Sequence, residues 1–227
     1  METILERENN RQNNEIRATT IKIGVIKGAQ GSCLLQKERI KIMSSVQTKQ
    51  QDEISEFEFH VKVNYAKFEI QTPQTAFKTT RKEIETTEII TQTLKYRIDA
   101  ESNIGKIITV NIFVLEEDGS VMDGIINSAS LALFNAGIKM DSILVSTTVV
   151  KLNGSNKFII DPTQLEEENK QGSLLIACIP ETSSITQVFM DGVLDPQDIS
   201  MCLSIALDSC WKLWEEINKI AVVKMEH

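Results

Sequence analysis

The sequence predicts an α/β (α+β) chain in which helices pack on mixed β-sheets, and three observations carry that prediction. Apolar residues alternate with polar ones over several short segments, as strands with one buried face require. Two internal segments change to a helical period, and the chain closes on a single long amphipathic stretch. Strands interleaved with helices in this order bury their apolar faces best as helices laid over sheets.

The elements follow in order. Residues 1–17 (METILERENNRQNNEIR) are polar and asparagine-rich, and they predict a flexible N-terminal arm. From Thr19 the text alternates through Ile21, Ile23 and Val25, breaks at Gly28 and Gly31, and resumes through Leu34, Ile40, Ile42 and Val46. That pattern predicts a strand, a turn and further strands. Phe57, Phe59, Val61, Val63 and Tyr65 alternate with Glu58, His60, Lys62 and Asn64, a strand buried on one face. In "TTRKEIETTEIITQTLKYRI", Ile84, Ile90 and Leu94 keep a helical period. Thr79 or Thr80 would cap it, with Glu83 and Glu85 in its first turn.

"KIITVNIFVLEEDGS" is β-branched and ends in a turn at Asp118-Gly119. A helix follows with Ile125, Ala129, Ala132 and Ala136 on one stripe; its small residues predict close packing on a sheet, and Gly137 is its stop. "SILVSTTVVKL" and "KFIID" form a hairpin around Asn153-Gly154, and "SLLIACIP" with "ITQVFMDG" a second strand pair. The last helix is capped by Asp195 with Pro196 at its first position, and Ile199, Leu203, Ala206, Cys210, Leu213, Ile217 and Ile220 line one face.

Composition narrows the function classes. At 227 residues the chain has room for one sizeable domain or two halves sharing a core. The net charge of −8 would repel a polyanion, so nucleic-acid contact requires a local basic patch. The four cysteines (Cys33, Cys178, Cys202, Cys210) form no paired motif and sit among apolar neighbours, so buried reduced thiols are expected rather than a zinc site. No apolar run approaches the roughly 20 residues that span a bilayer, and the first residues lack a signal-like apolar core. A cytosolic or nuclear protein is the expectation.

One segment raises a chemical question. "FIIDPTQLEEENKQGSLLIACIP" places Asp161, Glu166, Glu167 and Glu168 between two strand-like runs. Carboxylates framed this way either hold a metal ion or lie on a solvated turn.

Five stretches, in order, resemble the RNase PH-like fold (ribosomal protein S5 domain 2-like), and within it the ring subunits of the eukaryotic RNA exosome. "NEIRATTIKIGVIKGAQGSCLLQ" is similar to that family's opening Arg, strand and Gly-Ser segment. "VNYAKFEIQTPQTAFKTTRKEIE" is similar to its strand, pore-side loop and basic helix start. "VLEEDGSVMDGIINSASLALFNAGIKM" resembles its acidic-Gly turn and Ala-rich helix, "DPTQLEEENKQGSLLIACIP" its acidic segment and strand, and the last helix matches in length and position. The likeness spans roughly residues 15–223. It implies one RNase PH-like domain over residues 18–227, in halves of about 18–142 and 143–227. Within the family the Asp-Pro-Thr-x-Leu-Glu-Glu-Glu run resembles the short branch, nearest the mRNA-transport-regulator type.

The resemblance also says what an active member needs. Such enzymes cleave RNA from its 3′ end with inorganic phosphate, which calls for a bidentate cation on the phosphate and carboxylates at the leaving oxygen. The phosphate-gripping Arg falls on Met122, and a thioether carries no charge and donates no hydrogen bond. The two essential aspartates fall on Glu167, one methylene longer, and Ser173, which has no carboxylate. Asp161 is then expected to start a turn and Glu166–Glu168 to form a solvated acidic face, with no metal and no cofactor.

The family's basic helix start falls on Lys78, Arg81 and Lys82, the expected RNA contacts. Trp211 and Trp214, three apart on the last helix, can both lie on one side, and one of them can face a neighbour. The implied role is a non-catalytic wall of an RNA channel. Its partners would be other RNase PH-like exosome subunits in a hexameric ring, RNA-binding cap subunits, and RNA held weakly and without sequence preference. The implied places are nucleus, nucleolus and cytoplasm. The rival is an active phosphate-dependent 3′-exoribonuclease.

Overall fold

The structure is a computed structural model that describes residues 7, 11–51, 57–66 and 80–225, with side chains described as far as residue 219. Its contacts divide the chain into two compact units. One runs from Thr20 to Glu117 and adds Gly124–Ile143; the other combines the residues before Thr20, the turn Asp118–Asp123 and everything from Leu144 onward.

The first unit is built on a five-stranded sheet of β1 (Thr19–Ile23), β2 (Gly31–Lys37), β3 (Ile40–Gln50), β4 (Glu58–Tyr65) and β5 (Lys106–Glu116), in the order β1-β2-β3-β5-β4. β3 pairs antiparallel with both β2 and β5, whereas β4 runs parallel to β5. A parallel pair needs a crossover, and helix α1 (Arg81–Lys95) lies within it. Thr80 is the N-cap and forms a full capping box with Glu83. The buried stripe of α1 is Glu83, Thr86, Ile90, Thr93 and Leu94, so Ile84, expected inside, points to solvent. Glu83 and Thr86 can take inner positions because Tyr65 of β4 offers them bonds: its N–H donates to Glu83 Oε1 at 3.1 Å, and its hydroxyl shares a hydrogen bond of 3.4 Å with Thr86 Oγ1.

Helix α2 (Val121–Asn135) buries Ile125, Ala129 and Ala132, and its stop is Gly137 at φ +71°. Close packing on the sheet is explicit at Gly31, where a Cβ would stand 2.3 Å from the carbonyl oxygen of Ala132. Ser44 and Ser128 share a hydrogen bond of 2.8 Å in that interface.

The second unit holds a four-stranded antiparallel sheet of β6 (Val145–Leu152), β7 (Phe158–Ile160), β8 (Lys170–Ile179) and β9 (Ser184–Gly192), in the order β7-β6-β8-β9. The hairpin around Asn153-Gly154 and the β8–β9 pair are as the sequence predicts. Helix α4 (Pro196–Met225) buries Cys202, Ala206, Cys210, Leu213, Trp214 and Ile217, and the short helix α3 (Gln164–Glu168) precedes β8. Thr147 of β6 donates to the Ala206 carbonyl at 3.2 Å, which fixes the sheet face that α4 covers. Lys151 of β6 closes onto Asp198 in the first turn of α4 at 2.6 Å. No described helix is long and apolar enough to cross a membrane.

Candidate functional site

Asp161 and Glu166 are buried and Glu167 is half-buried, which corrects the expected solvated face at those positions; Glu168 is exposed, as expected. Asp161 and Glu166 are almost fully enclosed in the second unit, and three arginines from the expected flexible arm neutralise them. Arg17 donates to Asp161 Oδ1 at 2.7 Å and to the carbonyls of Asp118 at 2.8 Å and Pro162 at 3.2 Å. Its own N–H reaches Asp161 Oδ2 at 2.9 Å. Arg7 binds Glu166 Oε1 at 2.8 Å and the Ile160 carbonyl at 2.7 Å.

Arg11 stands 3.7 Å from Asp161 and 3.6 Å from Glu166, and burial beside Arg7 holds its pKa below the usual arginine value. Three guanidiniums thus meet Asp118, Asp161 and Glu166 away from water. A buried charge persists only when so paired, so the described part of the arm is packed rather than loose. Glu166 also completes the capping box of α3 with Thr163.

The turn before α2 is the second component. Gly119 (φ +63°) and Ser120 (φ +49°) both take left-handed backbone, and a Cβ on Gly119 would stand 2.4 Å from the backbone of Thr163. This close approach brings Glu167 to the turn: its Oε1 accepts the Ser120 N–H at 2.7 Å. Ser120 Oγ donates to Asp123 Oδ2 at 2.7 Å. Burial raises the Glu167 pKa against the pull of that backbone bond. Met122, at the position expected for a phosphate-gripping Arg, is the second residue of α2 and half-buried.

Ser173 lies on β8 in register with Asp191 of β9. Lys170 Nζ donates to Ser173 Oγ at 3.0 Å and pairs with Asp191 at 2.6 Å, which holds that carboxyl below its usual range. Met122, Glu167 and Ser173 therefore gather within one unit, each committed to a local partner or to packing.

The expected RNA contacts fare differently. Lys78 lies outside the described residues. Arg81 is exposed and pairs with Glu85 at 2.7 Å; Lys82 binds Glu117 at 2.7 Å and sits 4.4 Å from the centre of the Tyr65 ring. Both charges are already countered by acids of the same unit. The four cysteines are free and buried, and burial pushes the Cys33 thiol up to about 12, so it offers no thiolate.

Models of the 3′ exoribonuclease family match this chain, its domain 1 over residues 15–139 and its domain 2 over residues 142–209. The chain belongs to the 3′ exoribonuclease family. It is 27% identical over 215 residues to the exosome complex component Rrp41 of Nitrosopumilus maritimus, spanning 92% of this chain and 86% of that one. The crystal structure of rice (Oryza sativa) Rrp46 superposes with a TM-score of 0.80 at 17% identity, covering 92% of this chain and 97% of that one. A chain of the Archaeoglobus fulgidus exosome with RNA bound to the active site gives 0.78 at 20%, covering 94% and 93%. The fold is the RNase PH-like α/β fold.

Against the needs of an active 3′ exoribonuclease, the residues present do not fit phosphate and a divalent ion. The Ser120 N–H already holds a carboxylate, the guanidinium is replaced by a thioether, and a cation near Ser173 would face the Lys170 ammonium. Among the described residues no group of three or more His, Cys, Asp or Glu side chains could hold a metal. Sequence reasoning missed Arg7, Arg11, Asp123, Lys170 and Asp191. The signal for the first two was the recurrence of arginine along the arm, at positions 7, 11 and 17, in a chain whose acidic run at 161–168 contains no base of its own.

Proposed function

We propose that this 3′ exoribonuclease family member is a non-catalytic ring subunit of an RNA exosome, helping to form the channel through which an associated nuclease processes RNA 3′ to 5′. One observation carries the proposal: the backbone N–H at the start of α2, where an attacking anion would be received, is closed by the chain's own Glu167. Met122, two residues further on, supplies no guanidinium to compete for such an anion. Support for the ring role comes from relatives named as exosome components that align over nearly the whole chain.

Its partners are other RNase PH-like subunits in a six-membered ring, cap subunits and weakly held RNA, and its places are nucleus, nucleolus and cytoplasm. The mRNA-transport-regulator type is the finer assignment, supported by the Asp161–Glu168 run alone. Mass spectrometry of complexes isolated through this chain tests the ring role and the type together.

A phosphorolysis assay tests the chemistry. The purified chain, alone and with its ring neighbours, is incubated with single-stranded RNA and inorganic phosphate. We expect no nucleoside diphosphates from this subunit. Phosphate-dependent release that disappears in Glu167→Ala would establish an active phosphorolytic exoribonuclease instead.

A further inference from the structure

Cys178 and Cys210 meet across the interface between β8 and α4. The sheet face that α4 covers is the one carrying Thr147, whose hydroxyl donates to the Ala206 carbonyl at 3.2 Å. Val145, two residues earlier on β6, lies on that same face, and its direct partner on β8 is Cys178. One turn beyond Ala206, Cys210 Sγ stands 3.5 Å from Thr147 Oγ1 and 3.8 Å from the Val145 carbonyl oxygen. Both sulfurs are thus brought to Val145, and the two thiols share a hydrogen bond.

Small side chains let the two backbones approach. Ala206 and Cys210 are fully buried on the inner face of α4, and a threonine on β6 reaches straight to a carbonyl of that helix. A leucine or phenylalanine at position 206 would hold the helix too far off for that bond. Such closeness suits a disulfide, whose Cα atoms must lie within about 7 Å of each other.

The two sulfurs are chemically unequal. The hydrogen bond from Cys210 lowers the Cys178 pKa, whereas the same bond and burial raise that of Cys210. Burial pushes the other two thiols up, Cys33 to about 12 and Cys202 to about 11. The thiolate is the form that attacks an oxidant, so Cys178 is suited to attack and Cys210 to resolve. The pair is closed to water, at 1 and 0% exposure, so only a small oxidant admitted by local opening reaches it.

We propose that Cys178 and Cys210 form a redox-responsive lock, in which hydrogen peroxide converts the two thiols into a disulfide that fastens α4 to β8. The Cys178 thiolate attacks one peroxide oxygen and breaks the O–O bond, giving a sulfenic acid and hydroxide. The Cys210 sulfur then displaces the sulfenic hydroxyl group and forms the S–S bond. The two thiol protons leave in water, so two thiols and one peroxide yield one disulfide and two waters. The sulfurs together lose two electrons and the peroxide gains them. The bond encloses residues 179–209, which include β9 and the first part of α4. The lock is separate from the Ser120–Glu167 turn and does not depend on the ring role.

The test uses the full chain, reduced and then exposed to hydrogen peroxide without denaturant. We expect the thiols counted after unfolding to fall from four to two, and the intact mass to drop by two hydrogens. Peptide mapping without reductant should join the peptides of Cys178 and Cys210, and dithiothreitol should part them. The melting temperature should rise by about 4 °C or more on oxidation and return on reduction. Cys33→Ala and Cys202→Ala should form the same bond, whereas Cys210→Ala should gain oxygen at Cys178 instead. Circular dichroism shows whether each variant folds; if Cys210→Ala does not, the wild-type peptide map decides alone. Four persisting thiols, a disulfide to Cys33 or Cys202, or wild-type oxygen addition at Cys178 with Cys210 still a thiol overturns the proposal. So does a cross-linked chain that melts no higher than the reduced one.

Discussion

Glu167 Oε1 accepts the backbone N–H of Ser120 at 2.7 Å, and the two residues come from segments 47 positions apart. The contact places a carboxylate at the start of α2, where free N–H groups and the helix dipole favour negative charge. An anion-receiving position is thereby filled from within the chain, with Asp123 holding the Ser120 hydroxyl on the other side.

The same contact makes a pH prediction. Burial raises the Glu167 pKa above the ordinary value of 4.5. The folded state therefore holds this proton more tightly than the unfolded one, and the group's stabilising contribution is complete below the unfolded pKa. It is lost as pH rises through the higher folded pKa. Glu167→Gln keeps an acceptor for Ser120 without the charge. Its melting temperature is expected to match the wild type near pH 4 and to exceed it by pH 7, as measured by scanning calorimetry across that range. A gap that narrows as pH rises contradicts the assignment.

The buried Arg17 guanidinium donates to one carboxylate, that of Asp161, and to the carbonyls of Asp118 and Pro162. Arg17→Met strands Asp161 without this counter-charge. A loss of about 3–5 kcal/mol is expected from urea unfolding. A change below about 1 kcal/mol would mean that Arg7 and Arg11 suffice.

Gly31 has no room for a methyl group, since a Cβ there would meet Ala132 O at 2.3 Å and Ala136 N at 2.4 Å. Both obstacles are backbone and cannot swing aside. Gly31→Ala is expected to cost about 1–3 kcal/mol or more, whereas Gly28→Ala, with open space at its Cβ, should cost little. Parallel thermal melts compare the two.

Lys82 is paired with Glu117, so its RNA contribution should be small and limited by that acid. Filter binding of a uridine homopolymer at low salt is expected to weaken about twofold to threefold in Lys82→Ala and to strengthen by a similar factor in Glu117→Gln. Unchanged affinity in both variants would remove Lys82 from any RNA surface.

Much of the architecture was legible because it rests on local rules. The alternation at Phe59, Val61 and Val63, the Thr80–Glu83 capping box, Gly137 at positive φ and Pro196 opening α4 all depend on neighbours within a few residues. The loss of a guanidinium at Met122 was legible for the same reason, since residue type alone decides whether a side chain can carry charge. The fate of Asp161 and Glu166 was not. An acidic run reads as solvated unless its counter-charges are known, and here these come from Arg7 and Arg17, more than 140 positions away.

By itself, then, the sequence determined the elements, their order and the chemistry missing from positions 122 and 173, because periodicity, capping and side-chain type act locally. Tertiary structure alone decided that the arm's arginines would be buried, that Glu167 would close the Ser120 amide, and that α4 would bring Cys210 to Cys178. Those outcomes depend on which distant groups are brought within a few ångströms, where desolvation and pairing set the energy of every charge.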